Sequence, residues 1–455
     1  MTAKLSRFPL AFAPLLRSLC LAQLLFTPFL LTAADAPQRF SLQDCIDYAL
    51  AHSPVLAKQD VTVKNQKLQT VIEEARFAFN LSARDSQAFQ AGVNSSEISL
   101  DKEFQSGVSL RSWLTAEREN GRGFSDSTFA VQVSKQLLGG RTALETSYDL
   151  KASMVDELST LNNLNQTRRR LALDVKLAYY NIIQAQQSLM VKQRALENAR
   201  RNLMLTRERE NPLDILTAEI RVPENEQAVN SAQRTIDNGL DSLKERMGFP
   251  VQDELAITGD FSFELHSVNL ADDLHYAFEN IESMLNNRLE NRKLHWLLDI
   301  RDSQRLPDLS VAATHRQQGN GDGFNFNGPD EQTVTLNLNW EIGRRADAAR
   351  WQQAQNRIAN NQHDYFIISQ EITTSLSNYQ RRLDESARAV ALQENLCKLL
   401  QRKEELYRDR WENGEIDILE LVRTQTDLEN SFVDLINRKI EYLQLVGYYE
   451  FTAGR

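Results

Sequence analysis

Hydrophobic positions recur along this chain with two different periods, and the two occupy separate stretches. Within 158–209, Val175, Ile182, Leu189, Leu196 and Leu203 stand seven residues apart, with Ala178, Ala185 and Ala199 each three residues after a member of that ladder. An apolar repeat of seven sustained this long predicts a helix of coiled-coil character, and the alanines let a neighbouring helix approach closely. A second stretch, 346–411, carries Ile358, Ile372 and Tyr379 on one ladder with Tyr365, and Leu376, Leu383, Val390 and Cys397 on another. The last segment adds Leu421, Leu428, Leu435 and Tyr442. Helices of about 60 residues reach about 90 Å at 1.5 Å per residue, more than a compact domain needs. The pattern predicts a rod or a tube.

The second period is two. In 333–340, Val334, Leu336, Leu338 and Trp340 fall on one face and Thr333, Thr335, Asn337 and Asn339 on the other, as in a strand with one oily and one wet side. Residues 129–134 alternate in the same way, as do 104–114 and, less cleanly, 309–313. Gly319, Asn320, Gly321, Asp322 and Gly323, followed by Asn327, Gly328 and Pro329, predict a loop that closes a hairpin. The oily face would pack on a core in a soluble sheet. In an exported chain it would equally suit lipid, with Trp340 near the interfacial girdle.

The chain also repeats itself. Residues 42–50, LQDCIDYAL, return at 270–278 as LADDLHYAF, an offset of 228, and the same offset carries Leu81 and Ser82 onto Leu309 and Ser310. Further along, Val131, Gln132 and Val133 match Leu336, Asn337 and Leu338 at an offset of 205, and 214–219 matches 420–425 at 206. The drop from 228 to 205 leaves 23 extra residues in the strand region of the first half. Each half reads as helix, hairpin, very long helix, tight turn, helix. The expected division is a leader at 1–34, a first repeat at 35–247, a linking segment at 248–268 and a second repeat at 269–455.

Composition narrows the picture further. Of 455 residues, 42% are hydrophobic, while Gly and Pro number only 17 and 10, which fits a helix-rich chain and excludes a collagen-like or low-complexity one. Residues 1–34 hold three basic residues (Lys4, Arg7 and Arg17), no acidic ones, an apolar run and a small-residue ending at Thr32, Ala33 and Ala34, the marks of a secretory leader cleaved after Ala34. Losing those three charges takes the net charge from −10 to −13, which argues against a general nucleic-acid partner. No later window offers the roughly 18 continuous apolar residues of a spanning helix. Cys45 and Cys397 remain in the mature chain, and the ladder position of Cys397 predicts a buried free thiol. The three cysteines and six histidines are too scattered for a disulfide scaffold or a zinc site, and no serine triad, phosphate loop or cofactor motif stands out, so an enzyme is not expected.

Taken in order, these features resemble the TolC family of outer-membrane efflux proteins across the whole mature chain. The residues that carry the likeness are the opening 41–50 followed by His52, Ser53 and Pro54, the Leu-Ser strand starts at Leu81 and Leu309, Ala178, Tyr179 and Tyr180 in the long helix, and the turn and helix 414–425. The resemblance implies a mainly α fold with a small β part. It implies a homotrimer in which each protomer gives four strands to one twelve-stranded outer-membrane barrel, continued by a periplasmic tunnel of helices. The extra residues 86–102 depart from that plan and suit an added hairpin or a long external loop. A trimer also makes physical sense, because two hairpins alone have open edges that cannot stand in lipid.

The resemblance places the periplasmic entrance at the turns of the long helices, Asn211, Pro212 and Leu213 in the first half and Asn413, Gly414 and Glu415 in the second, where an adaptor would dock. Asp214 at the first turn, and Asp417 and Glu420 at the second, are the candidate gate. Three copies of each would stack carboxylate rings that favour cations. Acidic residues at a helix start also simply cap it and answer its dipole, so both readings stand. At the first turn Glu208 stands where a turn glycine is expected. The implied function is the outer-membrane duct of a tripartite efflux system, working with a periplasmic adaptor and an inner-membrane pump and needing no cofactor. A type I protein-secretion duct shares the fold, and a secreted coiled-coil scaffold would explain the heptads but not the alternating strands.

Overall fold

The computed structural model describes residues 39–88, 93–119, 124–140, 142–208, 211–259, 261–319, 326–341 and 343–455. The expected leader at 1–34, with its cleavage position, and the glycine-rich stretch from Asn320 to Gly323 lie outside the described residues. Helices dominate. A short pair, α1 (Leu42–His52) and α2 (Pro54–Ala75), precedes α3 (Ala143–Arg207), and α4 (Pro212–Met247) returns beside it. The order repeats as α5 (Leu270–Asn280), α6 (Glu282–Ser303), α7 (Arg345–Glu412) and α8 (Ile418–Ala453). The short pairs match residue for residue, with 11 and 22 residues in each half, and α4 and α8 have 36 each.

The break between α1 and α2 is local chemistry. Ser41 caps α1 with a reciprocal box to Asp44, and Pro54, which has no amide proton to lose, opens α2 after Ser53 turns extended. The two long helices have 65 and 68 residues, about 100 Å each at 1.5 Å per residue. Helix α3 begins at Ala143, well before the ladder that announces it, because its first turns bury Ser147, Leu150, Ser153 and Val155 without heptad spacing.

Most rungs of the apolar ladders lie at helix contacts, though Tyr365 is 41% exposed. Val175 and Ile182 are fully buried with Ala178, Ala185, Ile236 and Leu243, while Leu376, Leu383, Val390 and Cys397 are all buried along α7. Gly239 on α4 sits so close to Ile182 that a Cβ there would come within 3.0 Å of its side chain. Cys45 and Cys397 are buried free thiols, and burial pushes the Cys45 thiol up to about 12. Residues of the segment 248–268 pack on the helices: Leu255 and Ile257 join one core, Phe263 and Val268 lie against the other, and Phe261 touches both. The segment's strand β6 (Ala256–Ile257) pairs in parallel with β1 (Arg39–Phe40), and Tyr179 donates its hydroxyl to the Thr258 carbonyl at 2.6 Å.

One antiparallel sheet closes the far end of the long helices. It contains six strands in the order β2 (Asn80–Ala88), β3 (Val93–Glu103), β4 (Val108–Glu119), β5 (Phe124–Leu138), β7 (Asp308–Gly319) and β8 (Asp330–Asn339). The expectation of four strands is therefore corrected to six. The extra length of the first half is a complete hairpin, β3 and β4 over 93–119, not 86–102 as expected, set between β2 and β5, which correspond to β7 and β8. The strand expected over 104–114 is corrected too, since Phe104 lies in a tight turn whose Gly107 amide donates to the Phe104 carbonyl at 2.8 Å, and β4 starts only at Val108. Both faces alternate as the pleat requires. Leu81 opposes Leu100, Leu114 opposes Phe129 and Leu309 opposes Leu338 on one side, while Asp101 opposes Arg111 and Thr314 opposes Thr333 on the other.

Candidate gate at the helix tips

Each long helix reverses at the end remote from the sheet, and the two reversals use different chemistry. The second is a Schellman ending. Gly414 adopts φ +78°, its amide donates to Trp411 and that of Glu415 to Arg410, so the last carbonyls of α7 are satisfied. A Cβ at Gly414 would meet open space, so the glycine answers the backbone angle alone. The first reversal needs no glycine at Glu208, which caps α3 in the ordinary right-handed conformation. Asn211 then caps α4 by accepting from the Leu213 amide, and Pro212 takes the first helical position.

The acidic residues divide accordingly. Asp214 is half-buried and accepts a hydrogen bond from the Asn211 amide group at 2.8 Å, so it is tied into its own cap. Asp417 and Glu420 are both exposed. Asp417 stands one residue before α8 as its N-cap, yet its side chain makes no capping bond; only its carbonyl accepts, from the Glu420 amide at 3.2 Å. Capping by the side chain thus accounts for Asp214's surroundings better than for Asp417. Nearby, Arg410 pairs with Glu415 at 3.1 Å and Arg207 with Glu219 at 2.9 Å. The tips share a small core in which Trp411, Ile418, Leu421 and Val422 pack with Leu205 of α3.

Above that core lies a polar chain that sequence reasoning passed over. Asn202 of α3 donates to Gln425 of α8 at 2.8 Å, Gln425 donates to Glu404 of α7 at 3.1 Å, and Arg408 pairs with Glu404 at 2.6 Å. Glu404 is only 4% exposed, so its charge is held by these two partners. A signal was available: Leu376, Leu383, Val390 and Cys397 continue at the same interval to Glu404 and Trp411. A charge on an apolar seam marks a specific contact. Beside it a cavity of about 290 Å³ between α3 and α8 is lined by Met190, Ala195, Glu404, Gln425, Glu429 and Phe432. Burial raises the Glu429 carboxyl, with Lys192 and Arg221 partly opposing. Among the described residues no group of three or more His, Cys, Asp or Glu side chains is placed to hold a metal ion.

Helices of this length capped by one antiparallel sheet match solved structures over nearly the whole chain. CusC, solved in work on transmembrane channel formation, aligns with a TM-score of 0.68 at 13% identity over 91% of this chain and 92% of its own. The fold is that of the TolC-like channels. The Vibrio cholerae outer membrane protein VceC shares it at a TM-score of 0.67 and 14% identity, over 91% of this chain and 96% of that one. The open-state outer membrane channel MtrE of Neisseria gonorrhoeae gives 0.67 and 14%, over 91% and 88%. No family model and no curated protein matches the sequence. In this TolC-like arrangement the sheet and the acidic tips occupy opposite ends of the molecule.

Proposed function

We propose that three copies of this chain form an outer-membrane channel of a tripartite efflux system, passing small molecules from an inner-membrane pump and a periplasmic adaptor to the outside. The observation that carries this reading is the naked oily face of β8, where Val334, Leu336 and Leu338 are 76%, 65% and 65% exposed. Such a face suits lipid. No described helix is long and apolar enough to cross a membrane. Apolar stripes also remain uncovered on α4 (Leu213, Leu216 and Ile220) and on α7 (Leu392, Leu396, Leu399 and Leu406), as neighbouring copies in a ring of helices would require. In this reading 1–34 is removed on export, 35–247 and 269–455 are two repeats joined by 248–268, and the turns at 211–213 and 413–415 meet the adaptor.

The test is fractionation followed by mass. The mature protein should sediment with outer membranes and, in detergent, weigh three times the protomer. Recovery as a soluble monomer would reject the channel.

A further inference from the structure

The strands β2 and β8 end the sheet, and among the described residues each presents one edge with no strand beside it. In lipid every backbone donor and acceptor must find a partner, so these edges cannot stay open. Resting on the trimeric reading above, we propose that β2 of each copy pairs with β8 of the next, so that the membrane barrel has eighteen strands rather than twelve.

Three features of the chain support this occupant. First, six is an even number, so β2 and the neighbouring β8 run in opposite directions and meet as an ordinary antiparallel pair. Second, β2 carries Leu81 and Ala83 on the face that continues, through Leu100 and Ile98, into the oily side of the sheet, with Ser82, Arg84 and Ser86 on the wet side. Joining it to β8 thus keeps oil with oil. Third, the offsets supply a template for the joint. Since β2 corresponds to β7 at 228 and β5 to β8 at 205, the joint between copies is the counterpart of the β5 and β7 pairing seen within the chain. There Gln132 opposes Thr314. The same offsets set Asn337 opposite Ser86 of the next copy, both on the wet face.

The inserted hairpin β3 and β4 is therefore part of the pore wall and not an external loop. Barrel diameter grows roughly in proportion to strand number, so this mouth is about one and a half times as wide as a twelve-stranded one of equal tilt. The sheet then places little limit on the size of the cargo.

Cysteine pairs test the joint in the full-length protein in membranes. Asn337→Cys combined in turn with Ser82→Cys, Arg84→Cys or Ser86→Cys should give covalent trimers on oxidation, most with Ser86→Cys, and none for any single substitution. Covalent trimers formed with Arg111→Cys, Trp113→Cys or Thr115→Cys on β4 instead would mean that β2 and β3 leave the wall, and would overturn the proposal in favour of twelve strands. Intact trimers by mass that cross-link at none of these positions would overturn it as well. Thr335→Cys with the same β2 partners serves if the Asn337 variants fail to assemble. A monomeric unsubstituted protein would remove the trimer itself, a distinct result.

Discussion

Glu429 shows how a single side chain reports on the packing of two helices. Its carboxyl lies in the α3 and α8 contact, where burial disfavours the ionised form more than Lys192 and Arg221 restore it. A carboxyl whose folded value is raised adds stability that is complete below the ordinary carboxylate range and lost as pH climbs through the raised value. Glu429→Gln, neutral throughout, should therefore melt higher than the unsubstituted protein at pH 7, and the gap should close as pH falls towards the ordinary carboxylate range. Equal melting temperatures across that range would show that the site is wetter than its surroundings suggest. The residue was not legible in advance, because a Glu between Asn430 and Leu428 on an amphipathic helix reads as a solvated position. Leu376, Leu383 and Val390 were legible, since each is apolar, spaced by seven and at most 4% exposed.

At the scale of elements, the chain from Asn202 through Gln425 to Glu404 ties three helices at one level. Gln425→Leu keeps the volume but leaves the Asn202 amide without its acceptor and removes one of the two donors to Glu404 Oε1, with Arg408 remaining. That should cost about 1–3 kcal/mol, seen as a lower thermal midpoint, with hydrogen exchange rising first in α3 and α8 near the tips. An unchanged midpoint would mean that water replaces the glutamine at no cost. The long helices could be read from their seams, but the strand count could not. Strand β2 shows Leu81 and Ala83 on its oily side and β3 shows Ile98 and Leu100, with Ser, Asp, Glu and Arg around them, so a period of two barely rises above the polar background. Strand β8, with Val334, Leu336 and Leu338 in succession, could hardly be missed.

Across the whole molecule, the acidic tips face the end opposite the sheet. In a three-copy ring, Asp417 and Glu420 would meet their own copies, and like charges at close range repel unless a cation sits between them. Replacing both with Ala should leave trimer yield intact and lower cation selectivity, read as a reversal potential in a salt gradient across a planar bilayer. If the two residues only answer the helix dipole, the change should instead cost about 1 kcal/mol of local stability and leave the potential where it was. The extra hairpin also changes how the two ends of the molecule fit one another. In a three-copy ring, four helices per copy would make twelve, and at interaxial distances of 8–10 Å their perimeter would be about 100–120 Å. Twelve strands spaced about 4.8 Å apart and tilted by 35–45° span only about 75 Å, whereas eighteen span about 110 Å. With β3 and β4 in the wall the circumference of sheet and helices agrees, and the tube passes from one to the other without a taper.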